Sequence, residues 1–143
     1  MSEKTYLGID FGLRRIGLAK SDPTGQFASA WKTITYKSIN RALDEIADDI
    51  YKEKINAVVV GYPLAPDGGT EGERCIMIDE FISRLEERID LPIYTYDERD
   101  SSAEAREVVH KHGKKTGKDK EKIDRIAAAI ILQRFLDERK EQK

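Results

Sequence analysis

Ala57-Val58-Val59-Val60 is an unbroken apolar run bounded by polar residues and a glycine. Its length suits a strand, and the lack of polar alternation means that both faces are covered. A chain with such a strand needs layers on both sides of a sheet, and the flanking segments supply them. Ser38 is placed to cap a helix that puts Ile39, Ala42, Leu43, Ile46, Ala47 and Ile50 on one face. Cys75, Ile78, Phe81, Ile82, Leu85 and Ile89 form the stripe of a second helix. Pro92 to Glu98 reads as another strand. Ser101 and Glu104 match a capping box that opens a helix to about His112, and Gly113 can end it. A last helix is expected over roughly Lys120 to Arg139.

The first 35 residues read differently. Residues 5–11 are strand-like, Gly12 to Arg15 turn the chain, and Ile16 to Asp22 resumes as a strand. Pro23-Thr24-Gly25 turns again before a third strand from about Phe27 to Thr35. Two tight turns at this spacing make an antiparallel meander. The order β-β-β-α-β-α-β-α-α therefore gives an α/β fold, a mixed five-stranded sheet flanked by helices, in a single domain over residues 1–143. No apolar stretch approaches the roughly 20 residues of a membrane span. Cys75 is the one cysteine, and the N-terminus lacks the features of a signal peptide, so a cytoplasmic location is expected.

Three acids lie in apolar settings. Asp10 ends Leu7-Gly8-Ile9-Asp10, Glu98 ends Ile93-Tyr94-Thr95-Tyr96-Asp97-Glu98, and Asp124 sits beside Ile123, Ile126, Ala127 and Ala128. A buried ionised carboxylate is costly unless it is paired or bound to metal. Three of them suggest a divalent site of oxygen ligands, suited to Mg²⁺ or Mn²⁺. Each also has an ordinary reading. Asp10 could bond its own backbone at a turn, charged residues often punctuate strand ends, and Asp124 could be a helix-start acid. Alternation puts Asp97 and Glu98 on opposite faces, so one of the two reaches the site, with Glu98 favoured over Asp97. Ala127 and Ala128 form a small-residue patch that lets the last helix approach the sheet closely. His110 and His112 do not share a helical face and are not read as ligands. The loop from Asp67 to Thr70 lacks the ending of a Walker motif.

The net charge of −2 is unevenly spread. Residues 1–100 hold 13 basic and 19 acidic side chains, whereas residues 101–143 hold 12 and 8. A lysine-rich stretch containing Lys114, Lys115, Lys118 and Lys122 is either a solvated segment or a local contact for phosphates.

Asp10-Phe11-Gly12, Arg15-Ile16-Gly17, Ser21-Asp22, Gly61-Tyr62-Pro63-Leu64, Asp67-Gly68, Asp97-Glu98-Arg99 and Lys122-Ile123-Asp124, in this order, resemble the YqgF/RuvX family across nearly the whole chain. The resemblance implies a ribonuclease H-like fold and a metal-dependent nuclease that processes the 5′ end of precursor 16S rRNA. An alternative it carries is resolution of four-way DNA junctions, which would call for a homodimer. It places metal ligation and catalysis on Asp10, Glu98 and Asp124, with two ions expected and Asp10 shared between them. Arg14, Arg15, Arg99, Lys114, Lys115, Lys118 and Lys122 would hold the nucleic acid. Departures at Asp100-Ser101-Ser102, at Ala65-Pro66 and at Lys20 surround the cleft and leave the acids in place. Two other classes remain open. Gly8-Ile9-Asp10-Phe11-Gly12 also resembles the first phosphate motif of actin-like ATPases, which need a second such domain. A non-catalytic nucleic-acid-binding module of ribosome assembly is the other.

Overall fold

The computed structural model describes residues 3–63, 72–97 and 117–141, with the backbone alone described at 117–119 and 141. The elements are β1 (Tyr6–Phe11), β2 (Arg15–Ser21), β3 (Ala28–Thr35), α1 (Ile39–Lys52), β4 (Ala57–Tyr62), α2 (Gly72–Glu86), β5 (Ile93–Asp97) and α3 (Gly117–Glu141). The five strands form one mixed sheet in the order β3-β2-β1-β4-β5. β1–β2 and β2–β3 pair antiparallel, whereas β1–β4 and β4–β5 pair parallel. The meander and the central β4 are thus as expected. The helix expected over residues 101–112 and the loop at 66–70 lie outside the described residues.

Both faces of the sheet are covered because its strands carry apolar side chains on both. On one face Leu7, Ile9, Ile16, Leu18, Val58 and Val60 meet Leu43 and Ile46 of α1 and Ile78, Phe81 and Leu85 of α2. On the other face Tyr6, Ala19, Ala57 and Val59 meet Ala128, Ile131, Leu132, Phe135 and Leu136 of α3. Each Leu or Ile fully removed from water contributes about 1.5–3 kcal/mol before chain entropy is charged against it.

Ser38 caps α1 as expected, its hydroxyl accepting from the Arg41 backbone N–H. Two boundaries differ from the sequence reading. α2 ends at Glu86, and Ile89 reaches the core from the turn beyond it, where Arg88 and Ile89 donate to the Leu85 carbonyl. α3 starts at Gly117 and ends at Glu141, because polar terminal turns continue the helix past its apolar stripe.

Asp22 organises the second turn of the meander. Its carboxylate accepts from the backbone N–H groups of Thr24, Gln26 and Phe27 and from the Thr24 hydroxyl. Those bonds, led by the Thr24 hydroxyl and the Phe27 amide, hold its pKa well below the usual carboxylate range.

Candidate active site

The site grows from the pairing of β1 with β2. Asp10 is half-buried near the carboxyl end of β1, and its cross-strand partner is Gly17. Alternation places Asp10 on the same face as Tyr6 and Gly8, the face that α3 covers. α3 approaches here with almost no side chain between the backbones. A Cβ on Gly17 would lie 2.0 Å from the Asp124 carbonyl oxygen, and one on Gly8 would lie 2.8 Å from the Leu132 Cβ. Only glycine permits this at either position. The buried Ala127 and Ala128 serve the same approach from the helix side, as their small size suggested. The residue opposite Asp10 is therefore the residue on which the Asp124 backbone rests, so β1 and α3 bring both positions to the same face of the sheet.

Asp124 is not left unpaired. Arg15 Nε donates to its Oδ2 at 2.5 Å, with 31% and 19% of the respective side chains exposed. Burial pushes the Asp124 carboxyl above the usual range, and the Arg15 hydrogen bond and charge pull it back only in part. Arg15, to which the resemblance gives a nucleic-acid contact, turns its guanidinium to the Asp124 carboxylate in this structure.

Arg15 is itself held in place from behind. Tyr36 donates its backbone N–H to the Arg14 carbonyl at 3.0 Å and its hydroxyl to the Gly12 carbonyl at 2.7 Å. The turn between β1 and β2 is thereby tied to the end of β3. A second tie joins β3 to α3: the Thr33 hydroxyl donates to the Glu121 carbonyl at 2.6 Å, and Arg125 Nη1 donates to the Thr33 hydroxyl at 3.3 Å. The sequence reading missed Gly17, Thr33 and Tyr36. Only Gly17 carried a signal, being a glycine inside an apolar strand.

Asp97 pairs in register with Tyr62, and Tyr62 and Ile93 pack on the α1–α2 side. Tyr94 and Tyr96 pack on the α3 side, where the Tyr96 hydroxyl donates to Glu138 at 2.8 Å. Asp97 therefore lies on the face opposite Asp10. Arg14, Lys120 and Lys122 are exposed around the same end of the sheet. Glu98, Arg99, Lys114 and Lys115, with the side chain of Lys118, lie outside the described residues, as do His110 and His112. Among the described residues no three His, Cys, Asp or Glu side chains form a metal-binding group. Carboxylate oxygens such as those of Asp10 and Asp124 are the donor type that suits a hard divalent cation, and a cation would relieve the burial cost that Asp124 carries.

The fold is shared with junction-resolving nucleases. Thermus thermophilus RuvC in complex with a Holliday junction substrate superposes with a TM-score of 0.62 at 14% identity, covering 96% of each chain. The fowlpox virus resolvase with Holliday junction DNA gives 0.58 at 10% identity, over 94% of this chain and 97% of that one. At such identities the likeness is one of fold, and it defines a RuvC-like ribonuclease H architecture. The family model described as "RuvX: Holliday junction resolvase" matches residues 4–138. A Chloroflexus aggregans protein named "Putative pre-16S rRNA nuclease" is 39% identical over 140 residues, 98% of each chain. A protein of the same name from Mycoplasmopsis synoviae is 41% identical over 132 residues, 92% of this chain and 96% of that one. The chain belongs to the RuvX family.

Proposed function

We propose that the protein is a metal-dependent phosphodiester nuclease that processes the 5′ end of precursor 16S rRNA, with Asp10, Glu98 and Asp124 as its catalytic carboxylates. The observation that supports this reading is that Asp10 pairs with Gly17, the residue against which the Asp124 backbone rests on the α3 face. Glu98 is preferred to Asp97 as the third acid because Asp97 falls on the face opposite Asp10. Bound Mg²⁺ or Mn²⁺, as one ion or two, would activate the attacking water and stabilise the leaving oxygen. The chain's own part is to position the carboxylates, Asp10 on the sheet and Asp124 on α3. Arg14 and Lys122, which are exposed, would hold the phosphate backbone together with Arg99, Lys114, Lys115 and Lys118.

The RNA substrate is favoured by the names of the full-length relatives, and the four-way DNA junction by the description of the family. The discriminating experiment offers the chain a labelled precursor of small-subunit rRNA and a synthetic four-way junction side by side, with Mn²⁺ or with EDTA. Metal-dependent cutting confined to the rRNA precursor supports the proposal. Cutting confined to the junction transfers the same chemistry to DNA. Tight RNA binding with no cutting in either condition would favour a non-catalytic module.

A further inference from the structure

The family resemblance implies a nucleic-acid contact for Arg15, and in this structure its guanidinium lies on Asp124, a proposed metal ligand. The contact is close, 2.5 Å from Nε to Oδ2, and both partners are largely shielded from water. It is also built in. Arg15 is the first residue of β2 and pairs in register with Thr35, and the preceding turn is fastened by both hydrogen bonds of Tyr36. On the other side, the Asp124 backbone is pressed on Gly17, two residues along the same strand. Neither partner reached this position as the loose end of a flexible surface chain.

Two cations cannot use one carboxylate oxygen equally. The Oδ2 that accepts from Arg15 is among the oxygens a divalent ion would take, and a guanidinium beside that ion adds like-charge repulsion. Without any cation, Asp124 would stand half-buried with no compensation. We infer that Arg15 is the stand-in cation of this site: it neutralises Asp124 in the metal-free chain and must yield that carboxylate when a divalent ion binds. Arg15 is thus a positioning residue that acts through Asp124 and sets the affinity of the site for metal. The inference rests on the reading of Asp10, Glu98 and Asp124 as metal ligands.

The test is Mn²⁺ binding to the full chain without nucleic acid, followed by electron paramagnetic resonance at fixed pH and ionic strength. Wild type is compared with Arg15→Gln, Asp124→Asn and the double variant. Arg15→Gln should bind Mn²⁺ about tenfold more tightly, the size of one charge-assisted hydrogen bond lost to competition. Its melting temperature should fall without metal and recover with Mn²⁺, and the gain in affinity should vanish in the Asp124→Asn background. A purely structural tie would instead leave Mn²⁺ affinity in Arg15→Gln unchanged or weaker, which overturns the inference alone. Failure of wild type to bind Mn²⁺ would overturn the metal-site reading with it. Should Arg15→Gln not fold, the ¹⁵Nε resonance of Arg15 in wild type decides. A shift to an unbonded position on adding Mg²⁺ supports the exchange, and an unmoved resonance refutes it.

Discussion

Asp22 and Asp124 show how two aspartates in one small domain are tuned in opposite directions. Asp22 is wrapped by donors, so folding lowers its pKa. The stability it contributes is fully present above the unfolded value near ~3.9 and is lost as pH falls through the depressed folded value. Asp22→Ala should therefore cost about 1–2 kcal/mol at neutral pH, and its acid-unfolding curve should be flatter below about pH 4 than that of wild type. Urea titrations at a series of pH values check both points. Asp124 is shifted upward by burial, against which Arg15 acts only in part. A donor-rich turn acid contributes to stability, whereas a desolvated acid costs stability unless a cation compensates it. The apolar neighbours of Asp124 made it visible in sequence. Its ion pair with Arg15 was not visible, since it joins residues 109 positions apart.

At the scale of elements, the site depends on how closely α3 lies on the meander. Gly17 and Gly8 admit the helix backbone, and the Thr33–Glu121 bond ties its first turns to β3. Gly17→Ala would place a methyl group into the Asp124 carbonyl and force α3 away. The expected loss is about 3 kcal/mol of stability, read from the denaturation midpoint, together with weaker Mn²⁺ binding. The elements were legible in sequence because apolar runs between turns marked the strands, a 3.6-residue apolar period marked α1 and α2, and no polar residue interrupts Ala57 to Val60. The ends of α2 and α3 were less so, since a helix can run past its apolar stripe while its backbone bonds continue. The choice between Asp97 and Glu98 rested on alternation alone, and the register of β5 with β4 now places Asp97 on the other face.

For the whole molecule, the acidic balance must be reconciled with a nucleic-acid substrate. Some cations are engaged internally: Lys20 with Glu53, Lys32 with Glu45 and Arg88 with Asp44. Arg14 and Lys122 stay exposed near the carboxylates. Replacing both with Ala should reduce the slope of log affinity against log salt by about 1.4 for single-stranded RNA, two contacts at roughly 0.7 each. Filter binding across a salt series measures that slope. An unchanged slope would move the contact surface elsewhere.

The claim on which the rest depends is that Asp10 belongs to a metal-dependent cleavage centre. The most direct measurement is the single-turnover rate of precursor rRNA cleavage in Mg²⁺ by wild type and Asp10→Asn, with folding of both verified by circular dichroism. The account predicts cleavage by wild type that EDTA abolishes, and none above background by the folded variant. Full metal-dependent cleavage by Asp10→Asn would contradict it.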